Sequence, residues 1–241
     1  MKIIPAILPE AYPVIVKAVE QITEAASTVQ IDFVDGFFAP NRTWFFNRKD
    51  ESHLEQIRTE EIGMPYWEDI NYELDLMVNN PLDRIDDFIA LAPSKIIFHV
   101  EAFSKKEDEE KLINYFENLP EMVRSMIGFG MALGNDTEPS TLAPYIPYIK
   151  SVQCMGIAQV GSQGQPFDPR VFDQIKKVKE LYPDMIITVD GAVNLDNAVA
   201  LAEAGVTQLI IGSAIFQSSD PRGTIQEFKH LCRKQTSQSE N

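Results

Sequence analysis

Two cysteines and three histidines in 241 residues leave little for a disulfide framework or a nitrogen-rich metal centre. Cys154 and Cys232 read as small buried hydrophobes rather than nucleophiles, and their scarcity suits a reducing compartment, so a cytoplasmic location is expected. No apolar run is long enough to cross a bilayer. The chain enters a strand-like segment at residues 2–8 with no leader-type apolar region before it. Cations are also scarce: 21 Lys and Arg face 36 Asp and Glu, a net charge of −15. That balance argues against nucleic acid and anionic membranes as partners and leaves a small molecule. It also repels a phosphorylated ligand at long range, so any phosphate must be held by local backbone dipoles.

What is present is a regular alternation. Strand-like runs at 2–8, 28–34, 70–78, 94–100, 124–132, 149–155, 185–190 and 207–212 alternate with helical patterns at 12–26, 50–61, 81–91, 105–119, 138–145, 168–182, 195–204 and 220–232. Eight such units in this length favour a closed parallel (β/α)8 barrel, a TIM barrel of the α/β class, over an open doubly wound sheet. One domain is expected over residues 1–233, with a frayed polar tail at 234–241. Residues 37–71 are the least regular part and are expected to cover the catalytic face.

Two segments near the C-terminus carry most of the functional signal. Thr188-Val189-Asp190-Gly191-Ala192-Val193-Asn194 and Ile210-Ile211-Gly212-Ser213-Ala214-Ile215-Phe216 are β-branched runs that end in Gly plus a small residue and lead into helix-compatible sequence. Two consecutive βα turns of this shape make a nest of N–H groups with a helix N-terminus aimed at one point. In a (β/α)8 barrel the loops after strands seven and eight grip phosphate this way.

Alternation along each strand sorts the side chains. Val29, Ile31 and Phe33 suit the helices, which turns Gln30, Asp32 and Val34 inward. By the same logic Glu73, Asp75 and Met77 share one face of strand three, and Thr188 and Asp190 turn inward in strand seven. His99 shares a face with Glu101, and Gln153 with Met155. Asp32, Asp75 and Asp190 thus fall at or near the C-terminal ends of three strands, the catalytic end of this fold. Three clustered acids require either a cation among them or a shared proton. Asp32 and Asp190, on well-separated strands, can flank a carbon, removing a proton from one face and returning one to the other through an enediolate.

These residues resemble the ribulose-phosphate 3-epimerase family along nearly the whole chain. Pro5-Ala6-Ile7-Leu8 is similar to its opening strand. Asp32-Phe33-Val34-Asp35-Gly36, with Pro40-Asn41 and Thr43, resembles its second strand and loop. Leu76-Met77-Val78-Asn79-Asn80-Pro81, His99-Val100-Glu101-Ala102 and the glycine-bearing loop Gly161-Ser162-Gln163-Gly164-Gln165 with Phe167 follow in the family's order.

The resemblance implies a sugar-phosphate substrate, Asp32 and Asp190 as the acid–base pair, and phosphate contacts at Gly164, Gly191, Ala192, Gly212 and Ser213. Met77, His99 and Met155 are implied to line the substrate pocket. It also implies a divalent metal held by two histidines and two aspartates. Here Gln30 and Asp75 stand where the histidines belong, Pro9 replaces a serine, Val34 a methionine, and Ala192 a glycine. The remaining ligand set, Gln30, Asp32, Asp75 and Asp190, is all oxygen, which favours magnesium or manganese over zinc, or no metal at all. His53 and His230 lie elsewhere in the chain.

The expected activity is epimerisation of a ketose phosphate by two-carboxylate proton transfer. Two alternatives stay open. One is a metal-dependent lyase, decarboxylase or epimerase on another sugar phosphate; Asp75-Leu76-Met77-Val78-Asn79 lacks the Asp-x-Lys-x-x-Asp pattern of the related decarboxylases and synthases, which weakens it. The other is a degenerate binder of sugar phosphate. A homo-oligomer is compatible with either.

Overall fold

In a computed structural model that describes residues 1–47, 50–162 and 164–236, eight parallel strands close into a barrel. The strands are β1 (Lys2–Ile7), β2 (Thr28–Val34), β3 (Asn71–Met77), β4 (Lys95–His99), β5 (Gly128–Leu133), β6 (Ser151–Met155), β7 (Ile186–Asp190) and β8 (Gln208–Ile211). Closure is made by β8 on β1, with Ile4 opposite Ile210 and Pro5 opposite Ile211. The helices are α1 (Tyr12–Ile22), α2 (Glu51–Arg58), α3 (Ile85–Ala90), α4 (Lys106–Glu117), α5 (Glu121–Met126), α6 (Val171–Leu181), α7 (Leu195–Glu203), α8 (Ser213–Phe216) and α9 (Pro221–Thr236).

The facing read from alternation holds. Val29, Ile31, Phe33, Leu74 and Leu76 pack outward in the main apolar core, while Val34 and Met77 meet on the inner side with Ala39. The opposite, N-terminal mouth is plugged by Glu73, which pairs with Lys95 Nζ at 2.5 Å and Lys2 Nζ at 3.3 Å.

Four elements differ from the sequence reading. Residues 124–126 belong to helix α5, not to a strand, and β5 starts at Gly128. Pro120 leads into that helix, and the position of Arg124 on it lets its guanidinium reach the Phe116 and Glu117 carbonyls at the end of α4. Residues 138–145 form a 3-10 segment, Pro139–Tyr145, because Pro144 inside it has no N–H for a helical ladder. A 3-10 turn, Pro81–Arg84, likewise precedes α3.

Helix α9 runs on to Thr236, past the start of the expected tail; residues 237–241 lie outside the described ones. It docks across the barrel seam on α1, and Lys229 Nζ donates to the carbonyl of Ala25, in the turn after α1, at 2.6 Å.

The segment after β2 only partly covers the catalytic face. Its first residues, Phe38 to Asn41, lie over the mouth, but Trp44 is fully buried against Phe33 and Phe45 on the outside of β2. There its indole N–H donates to the Asp50 carbonyl at 3.0 Å. Both cysteines are buried, and burial pushes the Cys154 thiol up to about 12, which leaves it unreactive.

Candidate active site

Parallel strands in register bring the acids together at one end. Asp32 lies opposite Asp75 in the β2–β3 ladder, and Asp190 ends β7. Each of the three offers a carboxylate oxygen, and these oxygens lie within 4.8 Å of one another. Asp75 is fully buried, Asp32 is 7 % exposed, and Asp190 is partly open to the cleft above.

Amide and imidazole groups from neighbouring strands hold the trio in place. Gln30 Nε2 donates to Asp32 Oδ1 at 2.9 Å and to Asp190 Oδ2 at 2.8 Å, bridging the two acids. Gln153 Nε2 donates to Asp75 Oδ2 at 3.1 Å and lies 3.4 Å from Asp190 Oδ2. His99 Nε2 meets Asp75 Oδ1 at 3.0 Å. Gln30 therefore presents its amide nitrogen, not the oxygen a metal ligand would supply. The buried Oε1 atoms of Gln30 and Gln153 have no hydrogen-bond partner.

Removal from water and mutual repulsion set the protonation. Burial, and then the Asp190 and Asp75 charges, push Asp32 well above the usual carboxylate range. Burial and the nearby Asp75 charge push Asp190 up to about 7, against the opposing Gln30 bond. His99 is lowered by burial but raised by Asp75, and the net shift is upward. The cluster thus holds proton-carrying groups near neutral pH, as general acid–base chemistry requires.

Directly beside the trio lies the cleft predicted to hold phosphate. Gly164, Gly191, Ala192, Gly212 and Ser213 line one cavity together with Asp32, Asp190, Met77 and Met155. Gly191 and Ala192 are both left-handed, at φ 106° and 53°, and so form the tip of the turn. A side chain at Gly191 would strike Ile157, and one at Gly156 would strike the Gly191 carbonyl, so both positions are confined to glycine by contact.

One part of the expected nest is different. Helix α7 is capped internally: Asn194 Oδ1 accepts from Asp196 N at 2.9 Å and Asn197 N at 3.2 Å, so these two amides of its first turn are already used. The donors left for an anion are the turn amides and those opening α8, whose first N–H groups lack helical partners.

His99 does not reach this cleft. It bonds Asp75 and lines a neighbouring cavity, while Met77 and Met155 do line the first one. His53 sits on α2, paired with Asp50 and stacked on Tyr12 at 4.7 Å, away from the acids. Sequence reading named Gln153 only as a neighbour of Met155. Its inward position, two residues before Met155, was the available signal for a polar role.

The Ribulose-phosphate 3 epimerase family matches residues 2–216. The chain belongs to that family. Among relatives of the family, it is 25% identical over 235 residues to the ribulose-phosphate 3-epimerase of Schizosaccharomyces pombe, covering 97% of this chain and 94% of that one. It is 26% identical to the ribulose-phosphate 3-epimerase of Helicobacter pylori, covering 96% and 98%.

Solved barrels of other enzymes share the fold. A 3-hexulose-6-phosphate synthase superposes with a TM-score of 0.65 at 16% identity, covering 96% of this chain and 99% of that one. KGPDC from Streptococcus mutans, solved in complex with D-R5P, superposes at 0.67 and 11%, covering 96% and 97%. Among the described residues no helix is long and apolar enough to cross a membrane.

Proposed function

We propose that this member of the epimerase family epimerises a pentulose phosphate at the carbon next to the carbonyl, with Asp32 and Asp190 as its two proton-transfer groups. The observation that carries this reading is the single cleft lined by both the turn amides of Gly191, Ala192, Gly212 and Ser213 and the carboxyl groups of Asp32 and Asp190. The phosphate is anchored over β7 and β8, which lays the sugar carbons across the acids. One carboxylate takes the proton from one face of the carbon. The C–H electron pair moves into an enediolate, and the other carboxyl returns a proton from the opposite face. Gln30 bridges the two acids and keeps them at fixed separation.

The enediolate needs compensating charge. Among the described residues that line the cleft, none is Lys, Arg or His. A divalent cation fits this requirement, and Asp32, Asp75 and Asp190 are the residues that would hold it. An all-carboxylate set suits magnesium or manganese better than zinc. When bound, the ion would polarise the ketose oxygens and offset the developing negative charge. The cytoplasm and pentose-phosphate metabolism are the proposed setting.

The Gln30 bridge also favours a second reading, a binder that holds sugar phosphate without reacting it, because the amide occupies the space between the two acids.

Calorimetric binding and NMR assay of epimerisation separate the parts. Asp190→Asn and Asp32→Asn are expected to bind ribulose 5-phosphate within about threefold of wild type. Each should lose about 100-fold or more in turnover, the usual contribution of a positioned acid–base group. Ser213→Asp is expected to abolish binding by placing a carboxylate in the anion nest. Full turnover in either Asp variant overturns the two-carboxylate assignment. Unchanged affinity in Ser213→Asp overturns the phosphate assignment.

A further inference from the structure

A second cleft opens beside the acids, over β4, β5 and β6, on the side of the barrel facing away from β8. It measures about 450 Å³, within the range of small-molecule sites, whereas the space over the acids and turn amides is about 50 Å³. The loop after β6 is the shared wall: Ala158 to Val160 face the second cleft, Gly161 and Gly164 the first, and Ser162 lines both.

Two unsatisfied acceptors lie in the second cleft. Glu101 spends Oε1 on the Gly134 N–H at 2.8 Å and the Thr137 hydroxyl at 2.6 Å. Its Oε2 is buried with no hydrogen-bond partner, and so are Asn135 Oδ1 and the Asn135 Nδ2 donor beside it. A buried acceptor without a donor is costly to leave so, and a ligand that supplies the donor recovers that cost.

The surroundings indicate which donor. His99 Nδ1 faces Glu101 Oε2 at 3.9 Å, too far for a direct hydrogen bond. A hydroxyl can donate to the Glu101 carboxylate or the Asn135 carbonyl and also accept from the Asn135 amide N–H. An ammonium group, which only donates, can serve just one side. Phe38, Pro40 and Val160 supply an apolar wall for the carbon skeleton.

We infer that this cleft is a polyol subsite, which takes the hydroxyl-bearing end of a sugar phosphate whose phosphate sits over β7 and β8. The inference rests on the sugar-phosphate reading above and extends it: Glu101 and Asn135 select for hydroxyls beyond the reacting carbons. Through Asp75, which bonds His99, the subsite is also in contact with the acid trio.

Unreactive polyol phosphates test the inference without turnover. Calorimetry would compare inorganic phosphate, glycerol 3-phosphate, ribitol 5-phosphate and sorbitol 6-phosphate against wild type, Glu101→Gln and Asn135→Ala, with each variant's melting curve confirming its fold. Wild type is expected to bind the six-carbon ester about tenfold more tightly than the three-carbon ester, the worth of a net gain of one or two hydrogen bonds. Each variant should lose most of that increment and keep its affinity for glycerol 3-phosphate. Should Glu101→Gln fail to fold, Asn135→Ala alone decides.

Affinity independent of chain length, or an increment that survives in both variants, overturns the subsite while leaving the phosphate cradle standing. If no phosphate compound binds at all, the sugar-phosphate reading fails and the subsite fails with it.

Discussion

Ala192 adopts φ 53° at the tip of the turn after β7. Left-handed backbone costs a non-glycine residue about 1 kcal/mol, and glycine costs a similar amount through its freer unfolded chain. The two nearly cancel. Ala192→Gly is therefore expected to leave the melting temperature within about 3 °C, whereas Ala192→Val, β-branched at positive φ, should destabilise by about 1–3 kcal/mol. Thermal melts of the two variants check this; a stable Ala192→Val would show the turn to be looser than drawn.

At this scale the sequence was legible where alternation decides facing: Asp32, Asp75, Asp190 and Thr188 all turn inward. What each side chain does once inside was not legible. The bond directions of the Gln30 and Gln153 amides, and the bond between His99 and Asp75, depend on atoms from five strands meeting in three dimensions. No spacing along one strand encodes that convergence.

Elements show the same division. The eight strands were readable because each is a short apolar run with turn residues at both ends. Helix α5 was not, since residues 124–126 run straight into the apolar strand that follows and look like its start until Arg124 is seen reaching the last carbonyls of α4. Similarly, the cap of α7 could be suspected from Asn194, but only the geometry shows that it spends two amides of the helix's first turn and leaves the anion to the turn after β7.

Two loops meet over the mouth, where Asn41 Nδ2 donates to the Gly161 carbonyl at 2.8 Å and Ser162 Oγ at 2.9 Å. These bonds tie the segment after β2 to the loop after β6. Asn41→Ala removes both, each worth about 1 kcal/mol, from residues that touch no reacting group. KM for the sugar phosphate is expected to rise about three- to tenfold with kcat changed less than threefold. A drop in kcat without a rise in KM would contradict the view of this contact as a clasp over bound ligand.

For the whole molecule, polar groups are gathered at the two ends of the barrel and do opposite work. The floor is neutralised, with Glu73 held by two lysines, while the acid trio at the mouth lacks a matching number of cations. That imbalance has a pH signature. Asp190 is raised to about 7 in the folded chain, against about 3.9 when unfolded. Between those values the folded state binds more protons than the unfolded one. Stability is therefore fully present below about pH 4 for this group and is lost as pH climbs through 7.

Asp190→Asn removes that penalty, so its melting temperature relative to wild type should rise from pH 5 to about pH 7 and then level off. A flat difference would mean that the carboxyl is not held protonated by its surroundings. Cation affinity should run the other way: manganese binding, followed by electron paramagnetic resonance, is expected to strengthen over the same interval as the acids release their protons.

The joint presence of anion cradle and acid trio at one mouth has its most direct test in heavy water. Wild-type protein, with and without added manganese, would be incubated with ribulose 5-phosphate in D2O and the C3 proton followed by NMR. The account predicts loss of the C3 proton signal together with appearance of the 3-epimer, with the other carbon-bound protons untouched. A ligand that binds through its phosphate yet keeps its C3 proton under both conditions would contradict it.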